Sequence, residues 1–172
     1  MPAVADSSAL IWLAKAGRLD LLRDLYKKIT IPREVYAEAV ERGLADGHSD
    51  AHVIYEAIHQ GWITVEDASD GKKMKRLREN AKEIGAGEAA AMLLAMDTGC
   101  PLLIDDADAR SLAQTLGLTT RGTIHTILTA THRGRLRKTQ ATQTITHIVD
   151  KGFRIDPTLL ANILAEIERS PP

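Results

Sequence analysis

The chain has 172 residues, of which 44% are hydrophobic and 26% charged, with a formal net charge of −1. These values fit one globular domain with an ordinary core, and they exclude a disordered chain. A simple nucleic-acid coat protein would be basic, and the low aromatic content (3%) argues against single-strand binding on a platform of stacked rings.

Short apolar segments alternate with helical stripes along the whole chain. In chain order we predict a strand at 3–5, helices at 8–16 and about 19–25, a strand at 29–31, helices at 32–42 and 49–60, a strand at 62–65, a helix at 86–98, strands at 101–104 and 118–120 separated by a helix to 116, and helices at 123–131, about 140–151 and 157–169. Gly17 and Gly43 end two of these helices, and Pro32 fits a first helical turn. The charged segment 70–82 is either a solvated helix or a mobile excursion.

This alternation predicts βαβ units, a parallel sheet and helices on both of its faces. No low-complexity linker or internal repeat divides the chain, so we predict one domain over 1–172 with a helical extension from about 123.

The compartment follows from what the sequence lacks. The single cysteine, Cys100, cannot form an internal disulfide, and no apolar run reaches the roughly 18 residues of a membrane span. The apolar start of the chain carries Asp6 and is a poor secretion signal. We therefore expect a cytoplasmic protein without a membrane partner.

Carboxylates follow two of the predicted strands directly. Asp6 ends the first strand, and Asp105 and Asp106, with Asp108 close behind, end a central one. Ligands of open parallel sheets bind outside the carboxyl ends of the strands, so these acids can face one crevice. The alternative is that they only cap helices, but a cap needs one carboxylate and the doublet has two.

Two glutamates can join them. Glu88 lies in an apolar helix with no local cation, which is costly unless a metal ion, a distant base or the helix N-terminus compensates. Glu38 lies nearer the apolar stripe of its helix than Glu34 or Glu41 and can border the crevice, although a solvated position explains it nearly as well.

Converging carboxylates raise one another's pKa, and a divalent ion removes the conflict. Oxygen ligands suit Mg²⁺ or Mn²⁺, which can activate water and stabilise charge on a phosphodiester. The sequence contains no Walker lysine motif, zinc helix motif or nucleophile elbow.

Basic residues concentrate in two stretches, either of which can hold a phosphate backbone or form ordinary solvated surface. One stretch covers 72–78. The denser one, in a Gly-containing loop, consists of Arg133, Arg135, Arg137 and Lys138.

Four motifs, in this order, resemble the PIN domain family over most of the chain. They are Val-Ala-Asp-Ser-Ser-Ala-Leu-Ile from residue 4, Ile-Pro-Arg-Glu-Val-Tyr-Ala-Glu from 31, Gly-Ala-Gly-Glu from 85 and Leu-Leu-Ile-Asp-Asp-Ala-Asp from 102. The closest likeness is to a prokaryotic branch that has Gly122-Thr123 downstream. Glu88 stands where many relatives have Asp, and Ile104 replaces a hydroxyl residue.

The resemblance implies a three-layer α/β/α fold with a mainly parallel sheet of about four or five strands. It also implies a Mg²⁺- or Mn²⁺-dependent ribonuclease specific for single-stranded RNA, of a kind often found as a toxin held by an antitoxin and often as a homodimer. Asp6, Glu38, Glu88 and Asp106 would then be catalytic, with Asp6, Glu88, Asp105, Asp106 and Asp108 as candidate metal ligands.

Two other classes of function stay open. One is a non-catalytic nucleic-acid-binding or regulatory module of the same fold, favoured by Ile104 and the near-neutral charge. The other is a phosphohydrolase acting on small substrates.

Overall fold

A computed structural model of the chain describes residues 1–67, 71–81 and 83–170. In these residues five strands form one sheet in the order β3-β2-β1-β4-β5, and all four neighbouring pairs are parallel. The strands are β1 (Ala3–Ala5), β2 (Ile29–Pro32), β3 (Ile63–Glu66), β4 (Leu102–Leu103) and β5 (Thr120–Arg121).

Helices connect the strands and follow the last of them. They are α1 (Ser7–Lys15), α2 (Asp20–Tyr26), α3 (Arg33–Tyr36), which continues through a π-helical segment (Ala37–Arg42) into α4 (Gly43–Ala45), α5 (Ser49–His59), α6 (Gly71–Asn80), α7 (Ala86–Thr98), α8 (Ala107–Thr115), α9 (Thr123–His132), α10 (Lys138–Asp150) and α11 (Pro157–Arg169). No helix in the described ranges is long and apolar enough to cross a membrane.

The strands β1 and β4 are buried on both faces because their side chains alternate between two apolar clusters. In β1, Ala3 and Ala5 pack into one cluster and Val4 into the other. In β4, Leu103 belongs to the first cluster and Leu102 to the second. Helices α1, α2 and α9 to α11 cover the first face and α6 to α8 the second, so the predicted three-layer α/β/α fold is confirmed.

The sheet order places a crevice next to β1. The chain runs outward from β1 through β2 to β3, then returns to β4 on the other side of β1. The strand order therefore reverses between β1 and β4, where parallel α/β sheets bind their ligands. The Asp6 amide donates to the Leu103 carbonyl at 2.9 Å, so both predicted acidic strand ends lie at this point.

Most predicted boundaries shift by one or two residues, and the structure decides the roles of Pro32, Gly43 and the charged segment. Pro32 is the last residue of β2 and caps α3, one position before the predicted first turn. Gly43 does not end its helix, which runs on to Ala45; a Cβ at Gly43 would lie 2.7 Å from Ala51 Cβ, so the glycine permits close packing on α5. The charged segment is helical over Gly71–Asn80, and its predicted limits at 70 and 82 lie outside the described residues.

Candidate active site

Asp6 is buried where β1 passes into α1, with 2% of its surface exposed. Its Oδ2 accepts hydrogen bonds from the Ser8 amide at 3.2 Å and the Ser8 hydroxyl at 2.8 Å, so it caps α1. Burial raises the pKa of Asp6, and the nearby Glu38 carboxylate raises it further. Asp6 thus serves as a cap and also carries a charge that this site disfavours.

Glu38 reaches the same site from the π-helical segment. Its Oε2 accepts a hydrogen bond from the Ser7 hydroxyl at 3.0 Å, and Ser7 also lies 3.5 Å from Asp6 Oδ1. A Cβ at Gly87 would come within 2.6 Å of Glu38 Oε2, so any other residue there would displace this carboxylate from its present position. Local widening of a helix is frequent at functional sites, and no pattern in the sequence signalled it or the role of Ser7.

Glu88 occupies the first turn of α7. Its Oε2 accepts a hydrogen bond from the Gly85 amide at 2.8 Å, so stabilisation by the helix N-terminus, one of the three predicted explanations, is present. Burial raises the pKa of Glu88, and the carboxylates of Asp6, Asp106 and Glu38, in that order, raise it further. The other three predicted catalytic acids therefore lie within electrostatic range of Glu88.

The three aspartates after β4 have different surroundings. Asp106 is exposed and caps α8, because its Oδ1 accepts from the Asp108 and Ala109 amides at 3.0 and 2.9 Å. Asp108 is exposed on α8. Asp105 faces away from this arrangement toward α9, where Oδ1 accepts from the Thr123 amide at 2.8 Å and Oδ2 from the Thr123 hydroxyl at 2.6 Å.

Asp105 thus ties the end of β4 to the start of α9. Burial raises its pKa, against the lowering effect of the Thr123 hydrogen bonds. A Cβ at Gly122 would lie 2.7 Å from Asp105 Oδ1, which explains the glycine before Thr123. Both carboxylate oxygens are used inside the protein, so the geometry favours Asp106 over Asp105 as a ligand.

Ser8, which sequence reasoning did not select, joins the two acidic strand ends. Its hydroxyl donates to Asp6 Oδ2 and accepts a hydrogen bond from the Asp105 amide at 3.2 Å. One hydroxyl therefore fixes the distance between the ends of β1 and β4.

The acids suit a divalent ion by their chemistry, while their positions are not those of a closed metal site. No group of three or more His, Cys, Asp or Glu side chains in the described part of the chain is placed to hold a metal ion. Asp6, Glu88 and Asp106 each keep separate hydrogen bonds. Their oxygens are the donors that Mg²⁺ and Mn²⁺ prefer, and no ion pair among the described residues neutralises them.

The predicted basic loop, residues 133–138, does not lie beside the acids. Arg133 lines a pocket with Pro101 and Thr119, which precede β4 and β5, whereas the acids follow the strands. Lys138 donates to the Glu168 carbonyl at 2.8 Å. The structure therefore does not bring Arg133 together with the acids, and binding of nucleic acid by Arg133, Arg135, Arg137 and Lys138 stays a prediction.

A different basic residue lies beside the acids. The loop between α10 and α11 places Phe153 and Arg154 along a pocket of about 420 Å³. We call it the aromatic pocket; its lining includes Ser8, Trp12, Asp105, Asp106, Phe153 and Arg154. These loop residues are distant in sequence from every acid, so no local motif could have found them.

Comparison with known proteins agrees with this architecture. The sequence model of DUF3368, a PIN domain, matches residues 2–169. The chain therefore belongs to the PIN domain family, a superfamily of nucleases that generally use divalent metal ions.

Among solved structures, the chain is similar to a PilT N-terminus domain protein, SSO1118, from the hyperthermophilic archaeon Sulfolobus solfataricus P2. The two share 19% identity with a TM-score of 0.50, over 73% of this chain and 90% of the other. At this identity the likeness shows the fold alone. No curated protein matches the chain.

Proposed function

We propose that the chain is a cytoplasmic endoribonuclease that hydrolyses phosphodiester bonds of single-stranded RNA with Mg²⁺ or Mn²⁺. The observation that carries the proposal is the placement of acids from separate elements at the strand-order reversal, where Ser7 bridges Glu38 and Asp6 and Glu38 lies against Gly87, next to Glu88 in the sequence. Burial raises the pKa of Glu88, and the carboxylates of Asp6, Asp106 and Glu38 raise it further. Such an arrangement is costly to folding and is typical of a site that receives a cation.

In this proposal the chain's own residues position the acids. Ser8 orients Asp6, while Ser7 and the space left by Gly87 orient Glu38. Asp106 uses Oδ1 for its cap, and its Oδ2 would serve as the metal ligand. A bound divalent ion supplies Lewis acidity toward the phosphodiester and lowers the pKa of a water molecule.

Cleavage of an unstructured RNA, measured with Mg²⁺ or Mn²⁺, tests the proposal. We expect the wild type to cut and Asp6→Asn to lose activity, since asparagine keeps the cap but not the charge. Asp156→Asn, the same change at the cap of α11, is the matched control and retains activity. Equal cleavage by the wild type and Asp6→Asn would show that Asp6 is not part of the active site.

A non-catalytic RNA-binding module is the second candidate. It is favoured by one observation, that Asp6, Glu88 and Asp106 each already act as a helix cap. Titration calorimetry with Mn²⁺ separates the two candidates. Binding that is present in the wild type and lost in Glu88→Gln contradicts the module; no heat with either protein contradicts the nuclease.

We further propose that the chain is a toxin with an antitoxin partner and that it forms a homodimer. An exposed apolar residue of α5, Val53 (44% exposed), lines a pocket with Leu19 and Trp62, and this pocket supports a partner surface. Light scattering measures the dimer. Co-purification with the product of the adjacent reading frame, and relief of growth arrest by it, tests the toxin.

A further inference from the structure

The aromatic pocket brings two aromatic rings together in a chain that has few of them. Phe153 is the one phenylalanine of the sequence and Trp12 one of two tryptophans. Their rings meet edge to face, with centroids 5.3 Å apart and an interplanar angle of 85°. Lys15 Nζ lies 5.2 Å from the centroid of the Trp12 ring.

Arg154 adds a positive charge at the same wall. It is exposed and has neither an ion pair nor a side-chain hydrogen bond with the residues that the structure describes. The lining of the pocket also includes Asp105 and Asp106. One pocket therefore combines two rings and a guanidinium with Asp106, one of the four acids of the site.

We infer that the aromatic pocket binds one unpaired nucleotide of the RNA strand next to the phosphate at the acids. The base contacts the Trp12–Phe153 wall and its phosphate pairs with Arg154. Its volume of about 420 Å³ falls within the range of small-ligand sites. The inference rests on the proposed function. It adds a path for the RNA, which passes the loop between α10 and α11.

Two kinds of contact predict two different signatures. A guanidinium–phosphate pair releases counterions, so its loss lowers the slope of log affinity against log salt by about 0.7 for a single strand. A ring–base contact is largely independent of salt, and its removal weakens binding by roughly tenfold. A merely structural role for Arg154 or Phe153 would not produce this split.

Binding is measured by Trp12 fluorescence in a Trp62→Phe background, with a nuclease-resistant phosphorothioate oligouridylate and Mg²⁺. We expect the oligonucleotide to quench Trp12. Arg154→Gln lowers the salt slope and Arg154→Lys restores it. Phe153→Leu weakens binding at an unchanged slope, and Phe153→Tyr restores the affinity.

The matched control is Arg23→Gln. Arg23 lies over the Trp62 ring, and the Trp62 carbonyl bonds the amide of Ile29 where β2 begins, at the opposite end of the sheet from the acids. This variant keeps the wild-type slope and affinity.

The inference is overturned if the wild type shows no quenching, or if Arg154→Gln keeps the slope of Arg23→Gln. Cleavage of an unmodified oligouridylate is followed separately. Quenching without cleavage contradicts the proposed function but supports nucleotide binding in the pocket. If Arg154→Gln and Phe153→Leu change neither cleavage nor binding, the inference about the pocket is wrong and the proposed function is supported.

Discussion

Glu38 lies directly against the backbone of Gly87, so a methyl group at Gly87 would lie 2.6 Å from Glu38 Oε2. Gly87→Ala must therefore push the carboxylate away from Ser7. We expect a loss of RNA cleavage with little change in the free energy of unfolding, because the atoms displaced are the far end of a flexible, half-buried side chain. Cleavage assays and urea denaturation measure the two effects.

The other glycine of the same motif provides the control for this change. A Cβ at Gly85 would lie 3.5 Å from Glu88 Oε2, an ordinary contact. Gly85→Ala should therefore keep most of the activity. If Gly87→Ala cleaves RNA as well as Gly85→Ala does, Glu38 is not a member of the site.

Asp105 and Asp106 are adjacent, but we expect Asp105 to matter for stability and Asp106 for cleavage. Thr123→Val removes the hydroxyl that bonds Asp105 Oδ2, and we expect unfolding to become easier by about 1–3 kcal/mol because a buried acceptor loses its donor. Asp106→Asn retains the α8 cap and therefore the stability, but abolishes cleavage. Denaturation and cleavage assays on both variants check this; a destabilised Asp106→Asn or an inactive but stable Thr123→Val would reverse the two roles.

Stability should depend on pH through Asp6. Burial raises its pKa in the folded state, so the folded chain holds the proton more tightly than the unfolded chain. The free energy of unfolding is then highest below the unfolded-state pKa and falls as the pH rises through the folded-state pKa.

Asp6→Asn removes this dependence in buffer free of divalent ions. We expect the variant to be more stable than the wild type at neutral pH, with a difference that shrinks on acidification. Urea denaturation at a series of pH values measures it. If the wild type is more stable than Asp6→Asn at neutral pH, the predicted direction of the effect is wrong.

Divalent ions should stabilise the fold. An ion that binds only the folded chain adds about 2.7 kcal/mol at a hundred times its dissociation constant. We expect Mn²⁺ to raise the melting temperature of the wild type and to have little effect on Glu88→Gln, whose amide can keep the capping bond to Gly85. Asp156→Asn should respond as the wild type does. An equal rise in the wild type and Glu88→Gln would place the ion elsewhere.

Local sequence patterns were sufficient for the layers and for part of the site. The short apolar run of β1 and the position of Asp6 at its end are local properties, and both predictions agree with the structure. Gly43 was read as a helix end because its role, close packing on Ala51, depends on another helix. Glu38 depends on a π-helical segment, and Arg154 on a loop that returns from the C-terminal helices. No spacing in the sequence encodes such contacts.

The central claim is that Asp6, Glu88 and Asp106 share one divalent ion. Anomalous diffraction from a crystal soaked in Mn²⁺ tests it most directly. We predict a single strong peak between these three carboxylates, with the Glu88 side chain turned from Gly85 toward the ion. The claim is contradicted if the soaked crystal shows no peak there, or if the peak lies beside Asp105 or Asp108 while Asp6 and Glu88 keep their present hydrogen bonds.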